Sequence, residues 1–415
     1  MNIEEKERTS AGRRLLSNRP FVLIWGGQVV SFFGDAFFNL AVMWIVYSRS
    51  NSALQTSIVS AVFHLSGIIA GPFAGLVADR SNRARVILVN NMLAAAVVGA
   101  LAIVMLKYGQ IVPLVAFISV FLLNCLTAFL APARFALMPA VVSRDLFMTA
   151  TGWAVVGRQI ASLLGGALAG VVISLAGATW AMAIDACSFV VAGLAVVVAP
   201  LPTQIGHELP SQHERTSALR AIVDGWRVII GQPTLRMLVL LTVLANVPSF
   251  LGALYPALIR TRLHGGVVSY GLLDAVSAVG VMVGGFMAGA IERRVGAGHL
   301  QTAGRAMTGI CLLGMSVSTW LPLTAAMEFG QALGLTMSSV CTAALSQALV
   351  PEAYLGRVSG LSSSLGVIVV PISTLIGGWL ADMLGVAPLF FAGGTWILCI
   401  AALGWLSHDI RDARI

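Results

Sequence analysis

Asp35, Arg158, Asp274 and Glu328 are ionisable side chains stranded inside long apolar stretches of a chain of 415 residues. A charge in hydrocarbon is expensive, and it is kept where it binds an ion, relays a proton or pairs with another buried charge. Carboxylates with an arginine nearby form a proton-handling set. Burial disfavours the ionised acid and a guanidinium favours it, so movement between the two environments loads and unloads a proton. Asp35 and Glu328 are read as the main proton or cation carriers, with Arg158 pairing with Asp35 when the site is empty. Asp274 adds negative potential. Three acids and one base carry a net negative charge when ionised, which favours a lipophilic cation over an anion. Phe38, Trp44, Trp153, Phe250 and Tyr255 would supply an adaptable apolar wall. Asp185 reads as a packing residue, His64 as a hydrogen-bonded packing residue, and Asp382 as a boundary residue.

The elements that must position these groups follow from composition. Hydrophobic residues make up 58% of the chain, charged residues only 10%, and the mean hydropathy is +0.91. A soluble domain carries charges at roughly 25%. Spanning a bilayer takes about 20 apolar residues per helix. Twelve stretches meet this: 21–48, 54–78, 86–107, 111–131, 147–175, 178–199, 234–259, 267–291, 299–320, 322–349, 359–383 and 386–407. The expected fold is an all-α membrane protein of twelve transmembrane helices. Almost nothing is left for a catalytic module, so no enzyme is expected. At about 1.5 Å per residue, Asp35 lies about 21 Å from the start of the first stretch and Arg158 about 17 Å into the fifth. Asp274 and Glu328 lie about 10 Å from the opposite surface, which puts all four in one layer of a roughly 30 Å core.

The net charge of +8 and pI near 9.8 come from basic residues at helix ends, not from a nucleic-acid-binding face. Alternate loops hold most of them, with Arg80, Arg83, Arg85, Arg134, Arg293, Arg294, Arg305 and Arg357 assigned to one side. Arg49, Lys107, Arg260 and Arg262 fall on the other. The positive-inside rule then places both termini in the cytoplasm of a multi-pass protein of the cell inner (plasma) membrane. The polar, basic first 20 residues are followed by a stretch too long for a signal peptide and are expected to stay attached. Cys125, Cys187, Cys311, Cys341 and Cys399 lie in apolar stretches without metal-ligand spacing. No disulfide framework, metal or cofactor is expected.

One polar interruption, 200–233, divides the chain. Its first part, PLPTQIGHELPSQHERTS, reads as a linker, and ALRAIVDGWRVIIGQ as an amphipathic helix on the cytoplasmic face. The expected organisation is a tail at 1–20, six helices at 21–199, the linker, six helices at 234–407 and a tail at 408–415. SRDLFMTATG (143–152) aligns without gaps with PEAYLGRVSG (351–360), which suggests duplication. Two pseudo-symmetric six-helix halves are the layout of a transporter built from repeats.

The loop GLVADRSNRAR (75–85) resembles the G-x-x-x-D-R-x-x-R signature of the major facilitator superfamily, with Gly75, Asp79, Arg80 and Arg83 at its defining positions. The resemblance implies a charge latch holding the cytoplasmic gate. MAGAIERR (287–294) looks like a degraded copy. Within the superfamily, GQVVSFFGDAFFNLAVMWIVY (27–47), APARFALMPAVV (131–142), IDACSFVVAGL (184–194) and VPEAYLGRVSGL (350–361) resemble the drug:proton antiporter branch that includes macrolide-efflux proteins. SLLGGALAG (162–170) departs from the branch's Gly-Pro signature, with Gly166 where the proline would stand. Its fourth-helix arginine motif is missing from the expected membrane interior. The branch implies a monomer that exports lipophilic, macrolide-like or cationic drugs by proton antiport through alternating access, its four charged residues facing one chamber. Export of an endogenous metabolite such as a siderophore is the alternative. No G-x-x-x-x-G-K-[ST] phosphate loop for ATP occurs in the chain.

Overall fold

Lipid offers the backbone no hydrogen-bond partners, so apolar stretches of this length satisfy their own amides as helices. The computed structural model describes residues 12–109, 113–200, 218–351 and 354–411, with the side chains of 72, 75–76, 78–80, 218–222 and 409–410 outside that description. Its elements are helical, and no strand occurs among the described residues. The first six helices are α1 (Arg19–Ser50), α2 (Ala53–Arg80), α3 (Arg83–Tyr108), α4 (Pro113–Val141), α5 (Phe147–Ala176) and α6 (Ala178–Val198). The short amphipathic helix is α7 (Ala218–Gly231). Then come α8 (Pro233–Ala245), a 3-10 segment (Val247–Leu254) and α9 (Tyr255–Thr261), followed by α10 (Val267–Val295), α11 (Ala297–Val317), α12 (Leu321–Leu349), α13 (Leu355–Leu384) and α14 (Val386–Leu406).

Among the described residues, 11 helical segments are long and apolar enough to cross a membrane. The remaining expected crossing, the ninth stretch at 299–320, is α11, which has 21 residues but buries Gln301, Thr302, Arg305 and Thr308. The seventh expected span is broken. Pro248 lacks an amide proton and adopts non-helical torsions (φ −79°, ψ 15°), which separates α8 from α9. The Leu244 carbonyl, at the end of α8, accepts a hydrogen bond from Trp396 Nε1 at 2.9 Å.

Contacts divide the described chain into two units, one of 12–46 with 65–200 and one of 47–64 with 218–411. In the first, α1 lies against α5 and α6 through small residues. A Cβ at Gly27 would meet Ala195 at 2.8 Å, and one at Gly165 would meet the Phe33 carbonyl at 2.9 Å. Helix backbones approach this closely only where a side chain is absent. In the second unit, α11 crosses α12 at Gly304 and Gly334, and crosses α14 at Gly309 and Gly394. Gly285 and Gly289, whose spacing suggests a contact stripe, face open space instead. The amphipathic α7 docks on the start of α13 through Asp224 and Arg357, 2.9 Å apart. The linker at 201–217 lies outside the described residues.

Each unit carries the same turn. Gly177 joins α5 to α6 at φ 90°, ψ 164°, and Gly385 joins α13 to α14 at φ 81°, ψ 170°. Only glycine adopts such torsions readily. The separation between Gly177 and Gly385 equals that between Ser143 and Pro351, where the two aligned sequence segments begin.

Candidate functional site: a polar centre in each unit

In the first unit the centre is built on α1. Asp35 is half-buried, and its electrostatic neighbours are Arg134 on α4 and Arg158 on α5. Both guanidiniums flank the Phe32 ring, 5.6 and 5.1 Å from its centroid, within cation–π reach. Among the described residues, neither forms a direct ion pair with Asp35. Arg134 corrects the loop assignment made from sequence, because it lies within α4 and its buried Nε has no partner. The arginine expected to be missing from the fourth helix therefore stands beside Asp35. A cavity of about 20 Å³ lined by Gln28 and Arg134 admits one water. Asp185 on α6 is 0% exposed and is also an electrostatic neighbour of Asp35.

In the second unit the centre is built on α12. Glu328 is buried, and its Oε2 accepts a short hydrogen bond from the Tyr255 hydroxyl at the start of α9. The Ser277 side chain on α10 also acts on Glu328. Asp274, one turn before Ser277, is exposed and acts on Glu328 through its charge. Among the described residues, no basic side chain forms an ion pair with either acid. Where the chain enters α2, the exposed Asp382 accepts from Ser52 Oγ and the Ala53 amide at 2.6 Å each and from the Leu54 amide at 3.3 Å. A cavity of about 470 Å³ lined by Tyr47, Asn51, Thr261, Arg262 and Asp382 lies beside it.

The other residues singled out from sequence disperse. Tyr255 holds Glu328 and is thus more than a wall residue. Phe38 is buried, at 2% exposure, in packing contacts. Trp153 stacks edge-on against Trp25, 5.5 Å between centroids, and accepts that ring's N–H at 3.1 Å on its carbonyl. Trp25 precedes Asp35 by ten residues, about 15 Å along a helix, so Trp153 is removed from the Asp35 layer. Phe250 packs where Gly377 leaves space on α13, and Trp44 is half-buried. In the gate loop, Arg83 Nη1 donates to the Ala136 carbonyl at 2.8 Å and ties α3 to α4. The side chains of Gly75, Asp79 and Arg80 lie outside the described residues. Arg305, assigned from sequence to a loop, is buried in α11 at 6% exposure with Nη1 unpartnered.

A multi-pass helical bundle with carboxylates held in its interior defines a membrane transporter acting on small substrates. The profile of the Major Facilitator Superfamily matches residues 24–366, and the chain belongs to that family. It is 27% identical over 401 residues to macrolide efflux protein A of Streptococcus pyogenes, covering 94% of this chain and 96% of that protein. It is 26% identical to the enterobactin exporter EntS of Citrobacter koseri, covering 96% and 95%. The multidrug efflux pump Tap of Mycolicibacterium fortuitum is 25% identical, covering 95% and 97%. A bacterial homologue of the human lysosomal transporter Spinster superposes with a TM-score of 0.73 at 14% identity, covering 95% of this chain and 98% of that one. That likeness speaks to the fold.

Proposed function

We propose that this transporter exports lipophilic, cationic or macrolide-like drugs from the cytoplasm by proton antiport, as a monomer in the plasma membrane with both termini inside. The observation that carries the reading is a pair of carboxyl groups in apolar helices, the half-buried Asp35 and the buried Glu328, neither held in a direct ion pair among the described residues. An acid without a fixed cation is free to exchange its proton with water or to trade it for a cationic substrate. The macrolide and multidrug exporters among the relatives support the cargo class. Gly75, Asp79, Arg80 and Arg83 would hold the inner gate, and Trp44, Phe250 and Tyr255 would line the apolar path.

A second reading, export of an endogenous siderophore-like metabolite, is favoured by the resemblance to an enterobactin exporter and by the two arginines beside Asp35. Proteoliposomes under an imposed pH gradient separate the two. Gradient-driven movement of tetraphenylphosphonium or a macrolide, lost in Asp35→Asn or Glu328→Gln, is the expected result. Movement of a catecholate siderophore with no drug transported would replace it with the second reading.

A further inference from the structure

Asp185 has no part in the transport scheme above, yet it is the most enclosed acid in the first unit. Its side chain is 0% exposed, and Oδ2 has no hydrogen-bond partner. The Ser188 hydroxyl stands 2.7 Å from the Asp185 main-chain carbonyl and 3.4 Å from Oδ1. One O–H points at one acceptor, and the shorter contact takes it. The carboxyl is left with neither a cation nor a full donor. An ionised carboxylate in that position would carry a desolvation penalty with nothing to offset it.

The surroundings indicate where its proton can go. A Cβ at Gly34 would overlap Ser188 Oγ and come within 2.7 Å of Asp185 Oδ1, so α1 presents bare backbone to this carboxyl. The next residue on α1 is Asp35, whose charge acts on Asp185. Arg134 from α4 and Arg158 from α5 act on Asp35. From α3, Gly99 faces the neighbouring Ala186, which a Cβ there would meet at 3.9 Å.

We propose that Asp185 is a second proton site, which stores a proton behind the Gly34 notch and exchanges it with Asp35. In the exchange an O–H bond breaks at Asp185 and one forms at Asp35, so the pair keeps one proton and one negative charge throughout. Two neighbouring carboxylates resist ionising together. Guanidiniums near Asp35 favour the charge there and hold the proton on Asp185. As they withdraw, the proton crosses to Asp35 and from there to water. The role of that proton rests on the antiport reading, whereas its location rests on burial and contact alone.

Infrared spectroscopy of the purified full-length protein in detergent tests the location. Wild type should show the C=O band of a protonated, weakly hydrogen-bonded carboxyl at neutral pH. Asp185→Asn should lose it, Ser188→Ala should shift it, and Asp35→Asn should shift it through the shared field. If Asp185→Asn does not fold, the other two variants still report. A spectrum unchanged in every folded variant overturns the proposal, and a band insensitive to Asp35→Asn overturns the exchange. In proteoliposomes, Asp185→Asn should lose gradient-driven accumulation of tetraphenylphosphonium while still binding it. Wild-type accumulation undiminished in Asp185→Asn would sink the inference and leave antiport standing. Failure of wild type to respond to the gradient would sink antiport, with the band still locating the proton.

Discussion

Each interior or boundary acid needs a donor, a cation or a proton, and Glu328, Asp382 and Asp185 meet that need in three ways. Glu328 has the Tyr255 hydroxyl. Tyr255→Phe should therefore destabilise the protein by about 1–3 kcal/mol, the range for stranding a buried polar partner. The same substitution on a Glu328→Gln background should cost less, which a double-mutant cycle by thermal unfolding would read; equal costs would mean that the bond carries no energy. Asp382 caps α2. Asp382→Ala should cost about 0.5–2 kcal/mol, as capping losses do, and Asp382→Asn should recover part of it. Outside the membrane, the Ser143 hydroxyl, and then Arg14, holds the Asp145 carboxyl below its ordinary value. A depressed acid contributes above its unfolded-state value and loses that contribution as pH falls through the lower folded one. The 2.9 Å Arg14–Asp145 pair should thus outlast acidification past the usual carboxylate range, followed by carboxyl-carbon NMR titration. Sequence exposed Asp35 and Glu328 because each is isolated in an apolar run. Arg134 was hidden because a basic residue near a helix end reads as a topology marker. Tyr255 was hidden as a partner because 73 residues separate it from Glu328.

At the scale of elements, hydropathy located the helices, but it does not report which glycines meet another backbone. Gly304 and Gly334 each place the other's carbonyl 2.5 Å from an added Cβ, whereas Gly285 has nothing within 4 Å. Gly304→Ala should force α11 and α12 apart and cost about 1–3 kcal/mol, as overpacking does. Gly285→Ala should be neutral, or stabilising by up to about 1 kcal/mol, because it removes glycine's backbone entropy from a helix interior. Melting temperatures of the two variants decide the matter, and similar losses in both would contradict the packing. The break between α8 and α9 was written in Pro248, but an apolar average over the stretch conceals it. α11 shows the opposite failure. Its Gln301 and Arg305 depress the average of a helix that is 21 residues long and packed into its unit.

At the scale of the whole molecule, the two units differ in the charge of their polar centres. The first holds Asp35 and Asp185 with Arg134 and Arg158, formally neutral when all are ionised. The second holds Asp274 and Glu328 with no ion pair to either acid among the described residues. Two short segments suggest a repeat, and Gly177 and Gly385 stand at the same separation as those segments. The charge asymmetry was not legible in the sequence, because it depends on Arg134 and Asp185 being interior. It makes a division of labour testable, with the first unit handling protons and the second attracting a cation. One unit charge acting over about 10 Å at an effective dielectric constant near 20 is worth about 1.7 kcal/mol, somewhat over a tenfold change in affinity. Asp274→Asn and Glu328→Gln should each weaken tetraphenylphosphonium binding by about that factor, measured by equilibrium binding in detergent at low salt, and should affect an uncharged drug far less. Asp35→Asn should leave that affinity within about threefold, since two arginines already oppose its field, while removing the response to a pH gradient. Equal losses of affinity in all three variants would mean that the acids act as one pool of charge, and the division between the units would fall.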